Sequence, residues 1–207
     1  MEEKREEIIY KIILLGSIDS GKTRFIKRYA DNNDDSNILS SNLDDCKTKR
    51  VILNGGEKAI IQIWDTASYE IFKYAIIEKH VKKANGFIIM YNRTWRESFE
   101  IAKNWLSDLR EYNDTNNIAL VENDLDFGEC YEYHEMNEVS REEGQKFAED
   151  NNLLFFVTSH ETGINVNECF DALINRIYEN DPNISKNQNK IQLELKQNTI
   201  RKKGCLK

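Results

Sequence analysis

Gly16-Ser17-Ile18-Asp19-Ser20-Gly21-Lys22-Thr23 follows directly on the apolar run Ile8–Leu15 (IIYKIILL), and this junction decides the fold. The eight residues fit G-x-x-x-x-G-K-[ST], a pattern that a random chain of this length meets about one time in a hundred. Context narrows the reading further, because the motif leaves a predicted strand and opens a predicted helix. Gly16 and Gly21 let the backbone wrap closely, so the N–H groups along Asp19, Ser20 and Gly21, with the helix N-terminus, face a phosphate. In such a loop Lys22 lies against the β- and γ-phosphates, and the Thr23 hydroxyl is a magnesium ligand. The bland alternative is a solvated strand–helix turn.

Working outward, short apolar runs alternate with amphipathic segments nearly to the end. After IIYKIILL come AIIQIW (59–64), GFIIMY (86–91), NIALVE (117–122) and LLFFVT (153–158). They are rich in Ile, Val and aromatics and mostly lack strict alternation, which suits strands covered on both faces. A further strand, KRVIL (49–53), ends at Asn54-Gly55-Gly56 and is expected to pair antiparallel with 59–64 through that turn. Trp95–Tyr112 places Phe99, Ala102, Leu106 and Leu109 at helical spacing. Ser140 and Glu143 form a capping box before Phe147 and Ala148. Val166–Tyr178 carries Cys169, Phe170, Leu173, Ile174 and Ile177 on one face, and Pro182 closes it. Strands alternating with helices predict an α/β fold of the P-loop NTPase kind. Its sheet is expected to be mostly parallel and six-stranded, with one antiparallel strand and helices on both faces.

With 207 residues the chain is long enough for one well-buried core and too short for two ordinary domains. Residues 1–182 read as that domain. Residues 183–207 turn polar and low in complexity and read as a flexible tail. The net charge of −7 argues against gripping nucleic-acid phosphates, which needs a basic face. Cys46, Cys130, Cys169 and Cys205 lie far apart without metal spacing and read as reduced thiols. No signal peptide and no apolar stretch of about 20 residues is present, so a cytoplasmic protein is expected.

Four more segments fall in the right order for a known family. Trp64-Asp65-Thr66-Ala67 resembles W-D-T-A-G-Q-E, Asn123-Asp124-Leu125-Asp126 resembles N-K-x-D, and Thr158-Ser159-His160 resembles T-S-A. Ser41 falls where a switch threonine stands. With the phosphate loop, these segments make residues 8–180 resemble a Ras-superfamily small GTPase. IIQIWDTA (60–67), KKANGFIIMYNRT (82–94) and ETGINVNECF (161–170) make the chain Rab-like. Each motif alone is weak; five in order are specific.

The resemblance implies GTP and GDP as ligands, with Mg2+ held by Thr23, Ser41 and Asp65, the last through water. Asp126 accepts from guanine N1–H and N2–H, which adenine cannot offer, and a site built for such bonds rejects analogues that lack them. Asn123 braces the loop, and Ser159 and His160 belong to the base site, the His160 N–H donating to guanine O6. An Asn/Asp-rich turn is the bland alternative for Asn123 and Asp126, because the chain is rich in both residues.

The departures fall mainly on the hydrolytic residues. Ile18 stands for a glycine inside the phosphate loop and is expected to project toward the γ-phosphate. Ser68 replaces the glycine after D-T-A, and Tyr69 replaces the glutamine that orients the attacking water. At the base, Asp124 replaces the covering lysine, and Asp34 stands where an aromatic is expected. The expectation is therefore a Rab-like switch in vesicle trafficking with weak or no hydrolysis and no confident catalytic residue. A pseudo-GTPase binding module is the alternative, and an ATP-using P-loop kinase a third reading. Effectors and exchange factors are expected at 37–44 and 66–76. Cys205, after Arg201-Lys202-Lys203-Gly204, resembles a Rab tail prenylation site, which implies peripheral contact with the cytosolic face of an endomembrane; the C-a-a-X box is absent, and an unmodified surface thiol is the bland alternative.

Overall fold

Ile, Val and aromatic residues dominate the apolar runs, and their branched or flat side chains suit a pleated backbone buried on both faces. In the computed structural model, which describes residues 7–18, 20–31, 38–39, 45–66, 80–123 and 138–183, these runs become strands of one sheet. In chain order they are β1 Ile8–Gly16, β2 Ile38–Leu39, β3 Cys46–Ile52, β4 Lys58–Trp64, β5 Gly86–Asn92, β6 Ile118–Asn123 and β7 Leu154–Thr158. The chain also forms α-helices α1 Lys22–Asp31, α2 Arg96–Tyr112, α3 Arg141–Asp150 and α4 Val166–Glu179, and a 3-10 turn at Val81–Lys83.

The spatial order is β2-β3-β4-β1-β5-β6-β7. β4, β1, β5, β6 and β7 run parallel, and β3 opposes β4. This is the expected six-stranded sheet with its one antiparallel strand. The two-residue β2 extends it at the edge by pairing antiparallel with β3. The β3–β4 hairpin closes where Asn54-Gly55-Gly56 marked it: the Leu53 N–H donates to the Glu57 carbonyl at 2.9 Å, and the Gly56 N–H to the Leu53 carbonyl at 2.8 Å.

Successive residues of β1 feed two cores. Tyr10, Ile12 and Leu14 pack with Phe25 and Tyr29 of α1 and Phe170 of α4; Ile13 and Leu15 pack on the other face with Phe99 and Leu106 of α2 and Ala148 of α3. Each large apolar side chain taken fully out of water here contributes about 1.5–3 kcal/mol. The Phe170 ring stacks on Tyr29 at 3.8 Å and on Phe25 at 5.4 Å between centroids, which ties α4 to α1. Helices thus cover both faces, as expected.

One local expectation is met only in part. Ser140 caps α3, its Oγ accepting from the Glu143 N–H at 3.1 Å. The Glu143 carboxylate takes both Arg96 guanidinium nitrogens, at 2.7 and 2.9 Å. A bidentate, charge-assisted pair is stronger than a bond to a neutral backbone N–H, so the reciprocal half of the capping box gives way to a link between α2 and α3.

Because β4, β1, β5, β6 and β7 are parallel, their carboxyl ends (Trp64, Gly16, Asn92, Asn123 and Thr158) share one edge of the sheet. Ligands of open α/β sheets bind beyond that edge. No helix among the described residues is long and apolar enough to cross a membrane.

Candidate functional site

The loop after β1 turns on two glycines with left-handed backbones, Gly16 at φ +147° and Gly21 at φ +88°. Gly16 is also the last residue of β1 in register with β5, opposite Met90, and a Cβ there would overlap the Met90 carbonyl oxygen. Only glycine satisfies both the backbone angle and the space. Beyond it, the Ser20 N–H donates to the Ser17 carbonyl at 3.2 Å and the Phe25 N–H to the Gly21 carbonyl at 2.9 Å, so the loop runs straight into the first turn of α1.

Lys22 is 3% exposed, and its Nζ donates to the Ser17 carbonyl at 2.7 Å, with Ser20 Oγ at 3.4 Å and the Gly16 carbonyl at 3.5 Å. The loop therefore closes over its own lysine and concentrates positive charge at the helix N-terminus. The Ser17 hydroxyl is buried there without a hydrogen-bond partner. Ile18 lies in the turn of this loop and is more than half exposed.

Residues far apart in sequence meet at this mouth. Thr23 Oγ1 donates to Asp65 Oδ2 at 2.5 Å across 42 positions of sequence. Asp65 is held at the end of β4 by its own N–H, which donates to the Asp45 carbonyl at 2.8 Å. Its neighbour Thr66 is buried and anchors the chain to β1 through the Leu14 carbonyl at 2.7 Å. One hydroxyl and one carboxylate are hard oxygen donors, which suits a magnesium ion that takes its other oxygens from phosphate and water.

A second convergence lies at the ends of β6 and β7. Asn123 is fully buried and donates from Nδ2 to the Ser20 carbonyl at 3.0 Å, so the loop after β1 hangs on the end of β6. The Thr158 hydroxyl reaches Asn123 Oδ1 at 3.5 Å. The His160 imidazole closes the group, its Nδ1 lying 3.3 Å from Asn123 Nδ2 and 3.4 Å from Oδ1. Burial, and secondarily the Arg24 guanidinium, hold the His160 pKa below the usual imidazole range. Ser159 shapes the following turn, its hydroxyl accepting from the Thr162 N–H at 3.3 Å and its carbonyl from the Gly163 N–H at 2.8 Å.

The structure thus brings Gly16, Ser20, Gly21, Lys22, Thr23, Asp65, Asn123, Ser159 and His160 to one edge. Asp19, Asp34, Ser41, Ser68, Tyr69, Asp124, Asp126 and Cys205 lie outside the described residues, as do nearly all of 37–44 and 66–76. Cys46 and Cys169 are free, buried thiols.

Sequence reading missed Glu122. This fully buried carboxylate sits one residue before Asn123, accepts from the Tyr91 hydroxyl at 2.9 Å and lies 3.8 Å from Arg141 Nε. Gly144 makes room, since a Cβ there would overlap the Tyr91 hydroxyl. The signal was present: NIALVE ends an otherwise apolar run on an acid, and a buried acid needs donors. Lys49 was missed too; its Nζ caps the end of α1 at the Tyr29 carbonyl (2.9 Å) and lies 3.8 Å from the centre of the Tyr29 ring.

Comparison with known proteins adds the last observation. The family model described as "Ras family" matches residues 11–179. The Ras-related protein RABA5c of Arabidopsis thaliana is 30% identical over 199 residues, which is 96% of this chain and 90% of the relative. The Ras-related protein Rab-3C of Bos taurus is 35% identical over 173 residues, 83% and 72% of the two chains. The Ras-related protein RabC of Dictyostelium discoideum is 33% identical over 201 residues, 97% and 98% respectively.

Proposed function

Since the chain belongs to the Ras family and is a Rab-like small GTPase, a class that binds guanine nucleotide, we propose that it acts in vesicle trafficking as a slow switch between GTP- and GDP-bound forms. The observation that carries this reading is the meeting of Thr23 and Asp65 beside a phosphate loop closed over Lys22. Both side chains are oxygen donors of the kind a magnesium ion takes, which supports a nucleotide held by that loop.

In this reading the N–H groups along Asp19, Ser20 and Gly21 hold the β-phosphate, and Lys22 turns from the loop carbonyls to the β- and γ-oxygens. Thr23, Asp65 (through water) and Ser41 hold Mg2+, which when bound neutralises charge on those oxygens. Asp126 reads guanine N1–H and N2–H, Asn123 keeps the base loop on the phosphate loop, and the backbone N–H of His160 donates to O6. Segments 37–44 and 66–76 respond to the γ-phosphate and present that state to effectors and regulators. Ile18 in the loop, with Ser68 and Tyr69, leaves attacking water without the usual positioning group, so the GTP form is long-lived. Residues 1–182 form the switch, and 183–207 a tail that brings Cys205 to a membrane surface.

Extracting and identifying the nucleotide carried by purified protein tests this reading. GTP or GDP is expected, and Asp126→Asn should weaken GTP far more than ATP, because it exchanges two acceptor oxygens for a mismatched amide. ATP in the extract, or equal affinity for ATP and GTP, overturns the assignment. An empty protein that binds neither nucleotide establishes the pseudo-GTPase module instead.

A further inference from the structure

One face of the sheet carries apolar side chains that are not buried in either core. Ile13 and Leu15 of β1 pack under α2 and α3, but Ile9, on the same side of the strand, is 53% exposed. The register sets Ile60 of β4 beside Ile9, and Ile60 is only half-buried. On β3 the register sets Arg50 opposite Ile60 and Ile52 opposite Lys58, so Ile52 is the diagonal neighbour of Ile60 on that face. Ile52 is 75% exposed. Positions of an antiparallel pair that face water are ordinarily polar. Here Ile9, Ile60 and Ile52 run together across β1, β4 and β3, and a contiguous apolar patch marks a surface that something covers.

The patch lies where β1 and β4 begin, at the edge of the sheet opposite the phosphate loop. α4 delivers the chain to that same edge. Just past its end the Asn180 side chain donates to Asn117 Oδ1 at 2.7 Å, one residue before β6. The Tyr10 hydroxyl donates to Asp181 Oδ2 at 3.0 Å, and Tyr10 is the chain neighbour of Ile9. The β3–β4 hairpin leans on the same helix, since a Cβ at Gly55 would overlap the Tyr178 hydroxyl. The described residues end at Asn183, so the chain that follows starts beside the patch.

That following chain contains Ile191-Gln192-Leu193-Glu194-Leu195, a strict alternation of apolar and polar residues. Extended, it sets Ile191, Leu193 and Leu195 on one side and Gln192 and Glu194 on the other. Its four steps span about 13 Å, and strands about 4.8 Å apart put Ile9 and Ile52 about 10 Å from each other or slightly more. Residues 184–190 reach up to about 23–25 Å, enough to pass from the end of α4 around the edge of the sheet.

We propose that the Ile9–Ile60–Ile52 patch is the docking surface for residues 191–195 of the same chain. Docking takes the alternate aliphatic side chains out of water, keeps Gln192 and Glu194 in it, and leaves 196–204 as the free link to Cys205. A short tether holds the segment at millimolar effective concentration, so a weak apolar contact suffices to keep it docked most of the time. The contact needs no nucleotide and stands or falls apart from the guanine reading.

The test is the rate of trypsin cleavage after Lys190 and Lys196 in the folded full chain, for the wild type, Ile52→Asp and Ile164→Asp. Neither substitution touches a cleavage site, and both positions are exposed, so the fold is kept; Ile164, 59% exposed, follows β7 at the opposite edge of the sheet. When opening is fast, cleavage follows the undocked fraction. Ile52→Asp should be cut about fivefold faster than the wild type, and Ile164→Asp at the wild-type rate. Equal rates for the wild type and Ile52→Asp overturn the proposal, because the patch is then empty or waits for another protein. A difference that grows with protein concentration also overturns it and makes a second copy the occupant. Methyl NMR supplies the reciprocal check: Leu193→Ser should shift the Ile9 and Ile52 methyl signals and leave that of Ile164. Unmoved Ile9 and Ile52 signals sink the proposal whatever trypsin reports.

Discussion

Replacing Gly16 with alanine should damage this protein through geometry that the structure makes explicit. The residue sits at φ +147°, where an L side chain costs about 1–2 kcal/mol. Its new Cβ would overlap the Met90 carbonyl oxygen and press on Ser20 Oγ at 3.0 Å. The first is backbone of the neighbouring strand and cannot rotate away, so the end of β1 must move off β5; overpacking of this kind costs about 1–3 kcal/mol. Together the two effects come to about 2–5 kcal/mol. At about 2–4 °C per kcal/mol for a domain of this size, Tm should fall on the order of 10 °C. Gly56→Ala separates strain from space. Its φ is also positive, at +83°, but nothing lies within 4 Å of the added Cβ, so only about 1 kcal/mol and about 2–4 °C should be lost. Both variants are melted by calorimetry after stripping with chelator, then with GDP and Mg2+ in excess. Gly16→Ala should also lose most of the ligand-induced rise in Tm, and Gly56→Ala should keep it. Equal losses for the two variants in the stripped state would refute the packing argument.

Single-turnover GTP hydrolysis by the unmutated protein should run at or below the slow intrinsic rate of Ras, about 10⁻⁴ per second. Tyr69→Gln should help little while Ile18 remains, and a much faster wild type would mean that another group supplies the chemistry. Burial first, and then the Asp171 carboxylate, hold the Tyr29 phenol above its usual range, so the stability it contributes is complete below pH ~10 and is lost as pH rises through the folded value. Tyr29→Phe keeps the stack on Phe170; urea midpoints should match at pH 7 and fall less steeply for the variant above pH ~10. If the two alkaline curves coincide, the phenol is not the titrating group. Intact-mass analysis of protein from its own cells should show a prenyl adduct at Cys205, and an unmodified C-terminus removes that anchor. One chain alone holds a membrane only marginally, so Arg201, Lys202 and Lys203 are expected to supply the second attraction.

Composition and periodicity placed most of the elements, though not the two-residue β2. Branched apolar runs became β1, β4, β5, β6 and β7 within a residue or two of where their composition placed them, and Asn54-Gly55-Gly56 became the hairpin turn. β3 ran further than expected, from Cys46, because Cys46–Lys47–Thr48 pairs with Trp64, Ile63 and Gln62 across the hairpin, and pairing is a tertiary property. The phosphate loop was legible because its chemistry is local: two glycines, a lysine and a threonine act within eight residues. The other half of the site is not local. Strand order is a matter of which edge each helix crosses to, so nothing in the chain order 1-3-4-5-6-7 announces that β1 lies between β4 and β5. That placement alone puts Asp65 against Thr23 and, with β6 two strands from β1, Asn123 beneath Ser20 across 103 positions. Glu122 likewise reads as one acid at the end of a strand until the fold supplies the Tyr91 hydroxyl as a donor and the Arg141 guanidinium as an opposite charge nearby. His160 reads as a substitution for alanine until burial leaves it the Asn123 amide as its hydrogen-bonding neighbour. Side-chain identity sets what each group can donate or accept; only the packed sheet decides which groups are left facing one another without water.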